Sequence, residues 1–443
     1  MSPPVLLVAA PSSGAGKTVV TLGLIRALAM RGLKVGSFKV GPDYIDPVFH
    51  ARASGRLCRN LDSWAMRFET LGASLEAAGR DCDIVVGEGV MGLFDGAPDG
   101  TGSTADIASL FGLPVLFVAD AARTGQSIAP LIEGFLKARE DVQIVGVVLN
   151  RVGSADHEDL LRRACDDRFS TPILGCLRRD PALELPSRHL GLVGASEHPD
   201  LEGFLERAAK RVADSVDLAH LRRLARRPNV ATIGPPPRPL PALGQRIAVA
   251  QDPAFAFAYP AVLEGWRRLG SEVVPFSPLA DEAPDREADA VYLPGGYPEL
   301  YAARLAQNRA FILGLHHAAR RGAFVYGECG GYMVLGEILF DKKGERHGMA
   351  GLLPVVTSFA EPRLHLGYRQ LALKHPCPLG RPPLRYRGHE FHYAAETERK
   401  GAPLFAARDA RGRDLGETGC VKGNVAGSFY HLIDRAPHLA VVR

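Results

Sequence analysis

No stretch of about 18 apolar residues runs without a charge or a helix breaker, which excludes a membrane-spanning helix. Cysteine is scarce: seven in 443 residues, an odd number with no C-x-x-C pair, which argues against a disulfide framework and a zinc cage. Charge of one sign is lacking too. Lys and Arg total 53 against 49 Asp and Glu, a net +4 with no dense basic block, so neither nucleic acid nor a membrane surface is an expected partner. The N-terminus, Met1-Ser2-Pro3-Pro4, has no basic secretory region, and its apolar run Val5–Ala10 fits a buried strand better. What is present is ordinary globular usage, 46% hydrophobic with 48 Gly and 33 Pro, which excludes a disordered or collagen-like chain. At roughly 100–200 residues per domain, two or three domains are expected, in a soluble cytoplasmic protein.

The chain divides at a proline-rich tract. Pro228–Gly244 repeats proline, favours polyproline II and reads as a semi-rigid linker between residues 1–227 and 245–443. In the first half Val5–Ala10, Val35–Val40, Ile84–Gly87, Val115–Ala119 and Ile144–Leu149 are near-continuous apolar runs, as strands covered on both faces require. Helical spacing lies between them, as in Val19–Met30, which Arg31-Gly32 stops. The second half repeats the logic, with strands Ile247–Ala250, Glu272–Phe276, Ala290–Leu293 and Ala323–Tyr326 and helices near Tyr259–Leu269 and Asn308–Arg321. The fold class expected is α/β, two doubly wound domains in tandem.

The first strand runs into Pro11-Ser12-Ser13-Gly14-Ala15-Gly16-Lys17-Thr18 and then a helix. Glycines let backbone N–H groups approach phosphate oxygens, Lys17 reaches the β- and γ-phosphates, and the Thr18 hydroxyl suits Mg²⁺. Pro11 stands where the usual phosphate loop has glycine, so this is a variant, S-x-G-x-G-K-T, with Ser13, Gly14, Gly16, Lys17 and Thr18 as the ATP-binding set. Carboxylates follow at the ends of the next strands, where open α/β sheets bind ligands. Thr18, Asp43 and Glu88 make a Mg²⁺ ligand set. Asp46 and Asp95 are candidates for substrate or a second metal, or are turn formers beside Pro and Gly. Asn150, ending the fifth strand, is a candidate for reading the nucleotide base or equally the start of a loop.

In the second half, Gly327-Glu328-Cys329-Gly330-Gly331 follows a strand. This is G-x-C-x-G, the tight strand-to-helix turn that exposes a nucleophile, and the helix behind it is expected to lower the thiol pKa. Gly296, in Pro294–Glu299, and Gly330 are the expected oxyanion donors. His389, His392 and His431 are candidate bases; His431 is preferred because it follows the strand-like run Val425–Tyr430. Leu432 and Ile433 supply no carboxylate two positions on to orient its ring.

A triphosphate site joined to a thiol site suggests ammonia release coupled to carboxylate activation. At this point the sequence resembles the corrinoid a,c-diamide synthases over nearly its whole length. The motifs are APSSGAGKT (Ala10–Thr18), FKVGPDYIDPVFH (Phe38–His50), RNLDSW (Arg59–Trp64), EGVMGLFDG (Glu88–Gly96), RHLGL (Arg188–Leu192), PGGYPE (Pro294–Glu299), GECGGYMVLG (Gly327–Gly336) and GHEFHY (Gly388–Tyr393). The resemblance implies an N-terminal P-loop ATPase of the dethiobiotin-synthetase type and a C-terminal class I glutamine amidotransferase. It implies Cys329 as nucleophile, His431 as base and Mg-ATP at the phosphate loop. Its substrates would be glutamine, ATP and hydrogenobyrinate or cobyrinate, amidated at the a and c acetates in cobalamin biosynthesis, with a homodimer as an option. Nickel-sirohydrochlorin a,c-diamide synthase and cobyric acid synthase are related alternatives. From another class, a non-catalytic P-loop switch is the rival, and the intact elbow speaks against it.

Overall fold

In the computed structural model, which describes residues 2–188, 191–192, 194–229 and 237–437, the apolar runs of the first half form a seven-stranded parallel sheet. Its strands are β1 (Val5–Ala9), β2 (Val35–Val40), β3 (Cys58–Leu61), β4 (Ile84–Glu88), β5 (Val115–Asp120), β6 (Ile144–Val152) and β7 (Ile173–Arg178), in the order β3-β2-β4-β1-β5-β6-β7. Every residue of β1 is buried, as expected for a central strand covered on both faces. Each fully buried Val or Leu there adds roughly 1.5–3 kcal/mol. The chain moves outward from β1 through β2 and β3, then returns to put β4 between β2 and β1. Register sets Glu88 opposite Val8 on one side and Lys39 on the other.

Two helices carry the ligand-facing loops. α1 (Lys17–Met30) starts after Gly16, whose φ of 92° is left-handed, and ends where the Gly32 N–H, at φ 81°, donates to the Ala29 carbonyl. α2 (Asp46–Ser54) begins where Asp43 Oδ1 accepts the N–H groups of Ile45 and Asp46, and Gly55 ends it.

The second half opens with a parallel sheet and then departs from that pattern. Among its strands are β8 (Arg246–Ala250), β9 (Glu272–Phe276), β10 (Ala290–Leu293), β11 (Phe324–Glu328), β12 (His365–Leu373), β13 (Arg385–His392), β14 (Phe405–Asp409), β15 (Asp414–Thr418), β16 (Cys420–Lys422), β17 (Val425–Ser428) and β18 (His431–Arg435), and four more short strands form a third sheet. One sheet has the order β9-β8-β10-β11-β17-β16, parallel except for the edge strand β16. A second, antiparallel sheet has the order β15-β14-β12-β13-β18 and was not anticipated. Its strands mix half-buried and buried residues with few continuous apolar runs, a weaker signal than a fully buried strand.

The chain divides into two units, Met1–Trp64 with Phe68–Pro236, and Ala65–Arg67 with Pro237–Arg443. Residues 230–236 of the expected linker, with His189 and Leu190 of the RHLGL block, lie outside the described residues. The rest of the tract is not free tether. Asn229 donates to the Phe111 carbonyl in the first unit. Leu240 and Leu243 are buried in the second, where Trp266 Nε1 donates to the Pro241 carbonyl. Among the described residues no helix is long and apolar enough to cross a membrane.

Candidate functional sites

In the first unit, a cavity of about 630 Å³ opens at the carboxyl ends of the strands. Ser13, Gly14, Gly16, Lys17 and Thr18 line it, and so do Lys39, Asp43, Asp46, Glu88 and Asn150. The phosphate loop is braced from both sides. Lys17 Nζ donates to the carbonyls of Ser12 (3.1 Å) and Met91 (2.5 Å), and Asn150 Nδ2 donates to the Ala15 carbonyl (3.0 Å). A side chain at position 16 would run into the Asn150 amide, so glycine is required there for space as well as for φ. Burial and the neighbouring Lys39 ammonium lower the Lys17 pKa to about 8.

Glu88 gathers the charges. Its Oε1 accepts from Thr18 Oγ1 (2.6 Å) and Lys39 Nζ (2.8 Å), and its Oε2 faces His50 Nε2 at 2.6 Å. Lys39 also donates to Asp46 Oδ2 at 2.6 Å. Burial works against the Lys39 charge, but Asp46 and Glu88 outweigh it and hold the ammonium protonated. Burial likewise works against the Glu88 carboxylate, and Lys39 and His50 hold it below the usual range. Asp46 goes the other way: burial and then Asp43 push it up to about 7, against the pull of Lys39. The Thr18 hydroxyl and Glu88 carboxylate, two hard oxygens together beside the phosphate loop, suit Mg²⁺, which takes hydroxyl, carboxylate and phosphate oxygens.

In the second unit, β11 ends in Glu328 and turns sharply at Cys329, whose φ of 47° and ψ of −107° are strained for a residue with a side chain. The Cys329 N–H donates to the Ser428 carbonyl (2.9 Å), which ties the elbow to β17. Three residues past Ser428, His431 starts β18, in register with His389 of β13. Gly295 marks where Cys329 and His431 meet. A Cβ there would lie 3.1 Å from Cys329 Cβ and 3.1 Å from His431 Nε2. Gly330 and Gly296 are equally close, since a Cβ on Gly330 would lie 3.1 Å from the Gly296 nitrogen. Burial lowers His431 to about 3, aided by His389 and His392 and opposed by Glu390.

A family model described as "CobQ/CobB/MinD/ParA nucleotide binding domain" matches residues 6–193, and one described as "CobB/CobQ-like glutamine amidotransferase domain" matches residues 246–437. The hydrogenobyrinate a,c-diamide synthase of Rhizobium meliloti (strain 1021) is 54% identical over 434 residues, covering 97% of this chain and 99% of the relative. The protein of that name from Brucella melitensis is 54% identical over 439 residues, covering 97% and 98%. That of Rhodobacter capsulatus is 51% identical over 436 residues, covering 97% and 98%. The chain belongs to the hydrogenobyrinate a,c-diamide synthase family. It carries that family's two parts, a P-loop nucleotide-binding domain and a glutamine amidotransferase domain.

In this diamide synthase family member the sequence-derived residues fall into two groups. Ser13, Gly14, Gly16, Lys17, Thr18, Asp43, Asp46, Glu88 and Asn150 share one cavity. Cys329, His431, Gly296 and Gly330 converge around Gly295. Asp95 is the exception. It does not line the cavity, and its Oδ2 accepts the Gly92 N–H (2.8 Å) to close a turn, the bland reading of an Asp before Gly. Two further expectations are corrected. The strand before His431 ends at Ser428, so His431 opens a strand of the other sheet. The Cys329 thiol is not lowered by the helix behind it. Burial, then Glu299, pushes it up, and one N–H from Gly330 does not compensate.

Lys39, His50 and Glu328 were not singled out from the sequence. A signal existed for two of them: Asp46 and His50 are four apart on α2 and share a face, and Tyr326 and Glu328 are two apart on a strand.

Proposed function

We propose that this chain is an ATP-dependent, glutamine-hydrolysing ligase that amidates the a and c acetate carboxylates of hydrogenobyrinate. The observation that carries this reading is the pairing, on one chain, of a phosphate loop facing Glu88 with a strained cysteine elbow facing His431, in a sequence that matches named synthases across 97% of its length. A P-loop switch with an inert second domain would leave the elbow's strain unexplained.

In the second unit, the Cys329 proton passes to His431 Nε2 as sulfur attacks the glutamine carboxamide carbon. The C=O π pair moves to oxygen, supported by backbone N–H groups at Gly296 and Gly330. Collapse breaks the C–N bond, ammonia leaves with the proton from His431, and water then cleaves the thioester to glutamate. In the first unit, a substrate carboxylate oxygen attacks the γ-phosphorus, ADP leaves, and ammonia displaces phosphate from the acyl phosphate. Lys17 and Lys39 bring positive charge to the transferring group. Thr18 and Glu88 would hold Mg²⁺, with Asp43 and Asp46 on the same cavity wall; bound Mg²⁺ neutralises phosphate charge. We assign the enzyme to the cytoplasm, where free thiols persist.

Mass spectrometry of hydrogenobyrinic and cobyrinic acids after incubation with enzyme, Mg-ATP and amide-¹⁵N glutamine tests the proposal. Two labelled amides on hydrogenobyrinic acid are expected. No amidation of either acid, with glutaminase and ATPase activities intact, would redirect the assignment to another tetrapyrrole.

A further inference from the structure

The positions after His431 hold no carboxylate where one could orient its ring, and Asp434, further along β18, gives both oxygens to Arg67. Glu390 is equally committed, with Oε1 on His392 Nε2 (2.9 Å) and Oε2 on Arg369 (2.6 Å). Another carboxylate precedes the nucleophile itself. Glu328 Oε2 lies 3.9 Å from His431 Nδ1, while the Nε2 edge of the same ring borders Gly295 and the Cys329 side. Glu328 Oε1 accepts the N–H of Leu432 (3.2 Å), the residue next to His431 in the chain, and so anchors the backbone that carries the base. The carboxylate is itself fixed: Tyr292 Oη donates to Oε2 (2.8 Å) and Tyr326 Oη to Oε1 (3.2 Å). Those two tyrosines are cross-strand partners on β10 and β11, with near-parallel rings 6.0 Å apart.

We infer that Glu328 is the positioning residue for His431, turning Nδ1 toward itself and Nε2 toward Cys329 and stabilising the imidazolium that forms when the thiol proton moves to Nε2. This rests on the Cys329–His431 reading above. It supplies by a different route what a nucleophile–base pair needs, a third group that orients the base. The electrostatics require one. Burial pushes the Cys329 thiol up and His431 down to about 3, so both groups are held neutral, and a carboxylate against Nδ1 favours the charge-separated pair.

Titration gives the inference a signature. Burial raises Glu328 to about 7, against the donors Tyr292, Leu432 and Tyr326. Facing the imidazole are also His389, His392 and Glu390 from β13, and of these Glu390 is held below its ordinary value, chiefly by His392 and Arg369 against burial. An acid limb of glutaminase kcat near pH 7 therefore follows Glu328, which must be ionised to act.

The experiment measures glutaminase kcat and KM against pH for the full-length enzyme and for Glu328→Gln, Glu328→Asp and Tyr292→Phe, with melting temperatures as the check on folding. Glu328→Gln keeps an acceptor for the Leu432 N–H but loses the charge. Its kcat should fall on the order of 10²-fold or more, with KM for glutamine within about threefold and the limb near pH 7 gone. Glu328→Asp should recover part of the rate. Tyr292→Phe removes a donor that favours the carboxylate, so its limb should move to higher pH. Wild-type kcat and an unchanged limb in Glu328→Gln would overturn the inference. So would a slow Glu328→Gln with the limb retained and no shift in Tyr292→Phe, which would leave Glu328 a backbone anchor only. If Glu328→Gln does not fold, the Tyr292→Phe shift decides alone. Undiminished glutamine hydrolysis in Cys329→Ala would instead sink the underlying nucleophile assignment.

Discussion

Glu88 and Glu328 stand at equivalent points of two sheets, each the last residue of a central parallel strand and each buried, yet they titrate in opposite directions. Burial disfavours both carboxylates. At Glu88 the ammonium of Lys39 and the ring of His50 more than offset that cost, so the group stays ionised. At Glu328 the donors are two phenols and one amide, and the pKa rises to about 7. Position at a strand end thus exposes a carboxylate to a site, and the partners from neighbouring strands decide its charge. A permanently charged Glu88 suits a site for Mg-nucleotide, whereas a titrating Glu328 suits proton transfer.

The largest effect separates the two sites by function. Cys329→Ala should abolish glutamine-dependent amidation while free ammonia still supports it, and Lys17→Ala or Glu88→Ala should remove amidation from both nitrogen sources by on the order of 10²-fold or more. Rates with each nitrogen source test this. An unchanged ammonia-dependent rate in either first-unit variant would break the comparison.

The next effect is on stability. Lys39→Met leaves Asp46 and Glu88 without their shared cation and should destabilise the first unit by about 3–5 kcal/mol. Tyr292→Phe removes one neutral hydrogen bond and should cost the second unit about 1 kcal/mol. The chain has two tryptophans, Trp64 in the first unit and Trp266 in the second, so single-tryptophan variants report each unit separately in urea. Equal losses would mean that the Lys39 charge matters no more than a hydroxyl.

The smallest effect sharpens the contrast through pH. A carboxyl whose folded pKa is raised contributes stability present below its unfolded value, near 4.5, and lost as pH rises through about 7. Glu328→Gln should therefore gain on the wild type between pH 5 and pH 8, by up to about 2–3 kcal/mol in the second unit. Glu88 has the opposite sign: held below its ordinary value, it stabilises above pH 4.5 and that contribution is lost in acid. Urea midpoints across this range check both slopes, and a flat difference for Glu328→Gln would remove the contrast.

Much of both sites was legible in the chain because each is built around a contiguous segment. The phosphate loop reads as strand, glycines, Lys17-Thr18 and helix, and the elbow reads as strand, G-x-C-x-G and helix. Asp95 stayed open between two readings because an Asp before Gly serves a ligand or a turn with the same residues, and in the structure it closes a turn. The antiparallel strands of the second unit were missed because partly solvated faces carry weaker patterns than the buried parallel strands.

By itself the sequence determined two α/β units, the phosphate loop, the strained cysteine turn at Cys329 and His431 as its candidate partner, since each depends on short-range pattern and local backbone geometry. Only the tertiary structure decided which carboxylate is charged and which faces the imidazole. Those outcomes come from register and burial: Lys39 falls opposite Glu88, Tyr292 opposite Tyr326, and His431 opens a strand that returns beside Glu328. Residues far apart in the chain set the local dielectric and hydrogen bonds there, and those set the charge.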